Sequence, residues 1–239
     1  MKICFLSNSI ESTIRFRGEL ILKLAKKNKI FLLTNNDSNK KKNFFKYPVV
    51  IKFLFSRSNS FRLINLIKDL FLINSYINKE RFNIIYINSW HSIFIIFLVF
   101  IFSKIYPFSF NQYKIFINIA GLGNFFVKKN FLNFLFKNLF LFFIKYLPKK
   151  RTIIFFQNHQ DLRYFKIRKV INQKKSYVIE GSGINLDNFP YSNITSLKNK
   201  RILFVGRSLN FKGINELLFV AKQITNEFEN VYFDFVLII

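Results

Sequence analysis

One cysteine, Cys4, is all the thiol the sequence holds. It has no internal disulfide partner, and its place in the apolar run KICFLS makes it a core thiol in a reducing compartment. Targeting features are equally sparse: MKICFLSNSI carries one basic residue and a short apolar stretch, which reads as a first strand and implies a cytoplasmic location. Glycine (7), proline (4), tryptophan (1) and methionine (1) are scarce while Lys, Asn, Ile and Phe are over-used, a bias of the kind an AT-rich genome imposes.

The shortage of acid is the most informative. Asp and Glu number 12 against 38 Lys and Arg, a formal charge of +26, and none occurs between Glu80 and Asp161. That stretch reads either as the solvated basic face of a biased proteome or as a field that attracts anions, the phosphates of a nucleic acid or the head groups of a leaflet. Phe and Leu dominate it and no nucleic-acid motif is present, so a nucleic-acid partner is not expected.

Apolar runs stop short of a membrane span. Ile93–Phe102 is ten unbroken apolar residues, against roughly 20 for a spanning helix, and reads as a helix buried on a sheet. Phe131–Leu147 is the most hydrophobic segment, but with Lys137 and Lys145 inside it suits a deeply buried helix or one lying in a membrane surface.

What is present is a globular amount of apolar residue, 51% of 239, including 35 Phe. That is enough for one large domain or two small ones. Strand and helix patterns alternate. Residues 2–7, 30–34, 49–55, 84–88, 114–118, 152–156 and 177–179 read as strands. Helical patterns follow the Asn8–Thr13 turn and fill 60–78, 93–102, 131–147 and the segment entered at Gln157–Phe165. Such alternation predicts a parallel, doubly wound α/β sheet with helices on both faces. Ligands of such sheets bind outside the carboxyl ends of the strands. The loops there are 8–17, 88–92, 120–126, 157–161 and, in a second unit, 207–213, and they are expected to converge on one cleft. Residues 200–205 start that unit, Gly206 turns the backbone, and an amphipathic helix from Ile214 and a strand from Val231 follow. Two strands and a helix cannot bury their faces alone.

Four segments carry a family resemblance: IAGLGNFF (119–126), FFQNHQD (155–161), GSGINLDNF (181–189) and VGRSLNFKGI (205–214). In their order and spacing they are similar to the retaining glycosyltransferases of family 4, in particular to bacterial members that extend polyprenyl-diphosphate-linked sugars in surface glycan or polysaccharide assembly. The resemblance implies a GT-B fold, here a complete N-terminal Rossmann-like acceptor domain (1–190), a linker (191–199) and the first β-α-β unit of a nucleotide-sugar domain (200–239). On this view the chain is C-terminally truncated and inactive alone. Its partners would be a nucleotide sugar, expected to be UDP-linked, a lipid-linked glycan acceptor, the anionic inner face of the cell membrane on which it sits peripherally, and a separately encoded C-terminal half. No cofactor and no metal are expected.

The resemblance also implies roles for individual residues. Arg207 and Lys212 match the basic pair that holds the donor diphosphate; the bland alternative is two surface cations at the mouth of a helix. Gly181, Ser182, Gly183 and Gly206 would form the hinge and cleft. Gly121, Gly123 and Asn158 would bind the acceptor, the glycines in their loop and Asn158 in the turn after the sixth strand, the alternative for Asn158 being to orient that turn; Arg17, after Phe16, matches an acceptor-diphosphate position or else is a helix-surface arginine. No residue is assigned as catalytic: His91 suits an interfacial or helix-start role better than that of a base. The alternative to an enzyme is a non-catalytic remnant that binds a membrane or a partner protein.

Overall fold

The computed structural model describes residues 1–35, 49–54, 63–105, 113–123, 126, 130–191, 200–207 and 213–238. They fall into two compact units, Met1–Asn185 and Leu186–Ile239.

The first unit is a seven-stranded, wholly parallel sheet in the order β3-β2-β1-β4-β5-β6-β7. Its strands are β1 (Lys2–Ser7), β2 (Lys29–Asn35), β3 (Val49–Leu54), β4 (Ile84–Ile87), β5 (Lys114–Ile119), β6 (Thr152–Phe156) and β7 (Ser176–Val178). Its helices are α1 (Ile10–Ala25), α2 (Leu63–Glu80), α3 (Trp90–Ile105), α4 (Phe131–Tyr146) and α5 (His159–Ile167). The central strands are covered on both faces, so they read as continuous apolar runs and not as alternating ones. Odd and even positions feed different cores. Cys4, Leu6, Phe31, Leu33, Ile85 and Ile117 pack with α2, α3, α4 and α5. Ile3, Phe5, Ile30 and Leu32 pack under Ile10 and Ile21 of α1. Cys4 is 1% exposed, and burial pushes its thiol pKa far up, so the side chain behaves as a small hydrophobe.

Strand order reverses between β1 and β4, because the chain moves outward through β2 and β3 and returns to the other side. Such a switch point opens a crevice at the carboxyl edge. The opposite, amino edge is fastened: the Lys2 amide donates to Asn83 Oδ1 at 2.7 Å and its ammonium pairs with Glu80 at 3.0 Å.

The second unit is a β-α-β unit: β8 (Lys200–Arg207) and β9 (Val231–Ile238) pair in parallel, joined through α6 (Ile214–Glu227). Arg201 holds Asp234 with two bonds of 2.9 Å, a planar fork on a carboxylate. Ile214 and Ala221 are the buried residues of α6, whereas Leu203, Val205, Phe219 and Val236 remain at least half exposed. The unit therefore leaves open much of the apolar surface that a larger sheet would cover.

Candidate functional site

Four strands of the first unit change from apolar to polar at the same level. Ser7 of β1 is the register partner of Thr34 of β2, and Asn88 follows Ile87, whose partner Ile117 precedes Asn118 of β5. Counted in register, Thr34, Ser7, Asn88 and Asn118 form a row across β2, β1, β4 and β5, on the sheet face that α1 covers. Neighbouring strands lie about 4.8 Å apart, so the row is roughly 14 Å long. Three of its members have a buried polar atom without a hydrogen bond: Thr34 Oγ1, Asn88 Oδ1 and Asn118 Nδ2. Buried polar atoms of native proteins are ordinarily paired, so such a cluster calls for an explanation, and a ligand that completes the bonds supplies one.

The switch point itself is stitched by side chains. Ser89 Oγ lies 3.0 Å from Asn8 Oδ1 and 2.6 Å from Ser92 Oγ, and it also caps α3 by accepting from the Ser92 amide at 3.2 Å. Ser9 caps α1 and Asn158 caps α5, so three helices start from this edge. Helix amino termini carry partial positive charge and free N–H groups.

One rung below the row stand Phe5 and Tyr86, rings 4.9 Å apart. Arg17 lies beside Tyr86. It is only 9% exposed, its Nη1 donates to the Phe16 carbonyl at 2.9 Å, and its Nε has no partner. Among the described residues no carboxylate bonds it. Burial raises the Tyr86 phenol pKa, and the neighbouring guanidinium opposes that shift. A buried cation without an opposite charge is costly, and an anionic ligand group would relieve it.

The remaining sequence candidates are spread along the same edge or outside it. Gly121 and Gly123 lie in the loop after β5. Gly123 has φ +67°, the left-handed region, so a larger residue would strain the loop, although a Cβ there would make only ordinary contact with Trp90 Nε1, at 3.8 Å. Asn158 caps its own helix: Oδ1 accepts from the Asp161 amide at 2.7 Å and Nδ2 donates to Asp161 Oδ2 at 2.9 Å. Gly181, Ser182 and Gly183 follow β7, where Gln157 Nε2 reaches Ser182 Oγ at 3.4 Å. His91 is the second residue of α3; burial lowers its pKa and the charge of Asp69 opposes this. The first four edge loops thus come from one sheet, while the fifth belongs to the second unit. There Gly206 lies within β8, Arg207 ends it, Gly213 caps α6, and Lys212 falls outside the described residues.

Thr34 and Asn118 were not among the residues expected from the sequence, whereas Asn88 and Ser89 fall in the edge loop 88–92 without having been singled out. Their signal was available: the runs FLLT, IYIN and IFIN, like CFLS of β1, each end on a polar residue at the same rung.

No protein-family model matches the chain, and no curated protein is similar to it in sequence. Solved structures are similar in fold. A glycosyltransferase from Rickettsia africae superposes with a TM-score of 0.65 at 14% identity, over 98% of this chain and 68% of that one. The HepE protein of Anabaena, solved with UDP, superposes with a TM-score of 0.60 at 12% identity, over 99% and 69%. The fold is of the GT-B type. A UDP-N-acetylglucosamine 2-epimerase from Rickettsia bellii is also similar, with a TM-score of 0.53 at 12% identity over 98% of this chain and 62% of that one. A GT-B fold hosts more than one reaction, so the chemistry has to be argued from the site.

Proposed function

We propose that this chain is a glycosyltransferase component whose first unit receives a lipid-linked, polyprenyl-diphosphate saccharide and whose second unit begins the site for a nucleotide sugar. The polar row carries the reading. Amide and hydroxyl side chains offer both donors and acceptors, which is what the hydroxyls of a neutral sugar require. Asn118 Nδ2, Asn88 Oδ1 and Thr34 Oγ1 are buried with that capacity unspent. Arg17, one rung below and without a carboxylate, suits the acceptor's diphosphate.

In the reaction, an acceptor hydroxyl oxygen bonds to the anomeric carbon of the donor sugar while the bond from that carbon to the nucleoside diphosphate breaks. The hydroxyl's proton passes to the departing diphosphate oxygen, which leaves with the bonding electrons. Arg207 and Lys212 would hold the leaving diphosphate, and two fixed cations stabilise its growing charge without a metal. The donor is taken to be UDP-linked, hexosyl or N-acetylhexosaminyl, and HepE, which shares the fold, has been solved with UDP. Further polypeptide laid on the exposed faces of β8, β9 and α6 would complete the donor side.

Mass spectrometry of lipid-linked glycans from cells with and without this chain tests the function. Loss of the chain is expected to leave an acceptor glycan shorter by one sugar; an unchanged glycan would favour the non-catalytic alternative.

A further inference from the structure

The outer side of α4 is apolar where a surface helix should be polar. Its core side is complete: Phe140, Leu141, Phe143 and Ile144, followed by Leu147, are buried, and Phe140 and Phe143 pack against Trp90 and Phe97 of α3. The opposite side carries Phe131, Leu132, Leu135, Leu139, Phe142 and Tyr146, all exposed, with Phe131 at 78% and Leu135 at 52%. Spacings of three and four residues put Leu132, Leu135, Leu139, Phe142 and Tyr146 on one stripe. Asn138 and Lys145 are the only polar residues of this helix that are exposed. α3 packs between α2 and α4, and α2 too exposes apolar residues, Ile64 and Ile67.

Charge decides what covers it. The carboxyl end of α4 is cationic, with Lys145 in the last turn and Lys149 and Lys150 exposed just beyond. No acidic residue lies within 81–160, and the whole chain carries +26. Two copies of so basic a surface repel each other, and a nucleic acid offers nothing to a stripe of Phe and Leu. Sixteen residues make a helix of about 24 Å, short of the roughly 30 Å of a bilayer core. Among the described residues no helix is long and apolar enough to cross a membrane. A helix of this kind lies in the interface plane, apolar side down and lysines at the head groups.

We infer that the outward stripe of α4 is a bilayer-inserting surface, and that the lysines at its carboxyl end direct it to anionic lipid. The inference rests on the proposed function only in that the acceptor is membrane-borne. Its test contains no sugar, so a failure removes the docking surface and leaves the polar row untouched.

The test is flotation of the 239-residue chain with vesicles of phosphatidylcholine, alone or mixed with phosphatidylglycerol. Binding is expected to be about tenfold or more stronger on the anionic vesicles, since each basic residue near a charged surface contributes and about 1.4 kcal/mol is a factor of ten. Leu135→Gln with Leu139→Gln is expected to abolish flotation with an unchanged far-ultraviolet dichroism spectrum, both residues being exposed. Lys149→Glu with Lys150→Glu is expected to weaken binding to the anionic vesicles while leaving binding to phosphatidylcholine alone unchanged. Equal binding to both vesicles, or wild-type flotation of the double-leucine variant, would overturn the inference. So would a dimer in solution that the leucine variant converts to monomer while neither protein binds vesicles, because the surface would then belong to a second copy.

Discussion

Asn118 and Asn158 are the same residue type in different states of pairing. Asn158 bonds Asp161 through both of its polar groups, at 2.7 and 2.9 Å, which starts α5 and leaves one N–H and one lone pair over. Asn118 is 8% exposed and its Nδ2 has no partner. Arg17 belongs with Asn118. If its guanidinium is kept for an anionic ligand, Arg17→Met removes an uncompensated buried charge, and replacing buried charge by a well-packed apolar group of similar size is often neutral or stabilising by about 1–4 kcal/mol. The expected outcome is unchanged or raised stability in urea unfolding; a large loss would mean that Arg17 is structural. His91 gives a pH signature of the same sign as the usual carboxylate, in a window nearer neutrality. Burial places its native pKa below the ordinary value of 6.5, so in the window just below 6.5 the unfolded chain binds more proton than the native one. Stability therefore falls as pH drops through that window, and His91→Gln is expected to flatten this part of the stability profile, as read by thermal melts at a series of pH values.

At the scale of elements, α5 is short and depends on one anchor. Phe165 is 0% exposed and its ring lies 5.2 Å from Phe156 and 6.1 Å from Phe140, so it joins α5 to β6 and α4. Phe165→Ala is expected to cost about 3–5 kcal/mol, measured as a lowered urea midpoint with an unchanged slope. The elements themselves were legible because each carries its own period: KICFLS and IFLLT could only be two-sided buried strands, and TIIFF is a strand at the residues expected. Ends were less legible. The helix expected from Ile93 starts at Trp90, since Ser89 caps it. The direction of α4 was not legible at all, because Phe and Leu populate both of its sides and only packing against α3 selects the inner one. Nor was the polar row, since neighbours in it, such as Ser7 and Asn88, are far apart in the chain and meet only through strand register.

At the scale of the molecule, the two units differ in how far they are finished. The first buries two cores, one on each face of its sheet, and places a polar row at the edge where its topology opens, with Arg17 below it bonded by no carboxylate among the described residues. The second exposes the apolar faces of two strands and a helix. On the proposed function, the first unit is expected to bind an acceptor by itself and the second to bind a nucleotide sugar only weakly. Isothermal calorimetry with a short prenyl-diphosphate-linked N-acetylglucosamine and, separately, with UDP-sugars tests this most directly. The prediction is saturable binding of the prenyl-linked sugar, weakened about tenfold or more by Arg17→Met or Asn118→Leu as charged and polar partners are lost, and no micromolar binding of a UDP-sugar. Micromolar binding of a UDP-sugar without any binding of the prenyl-linked sugar would contradict it.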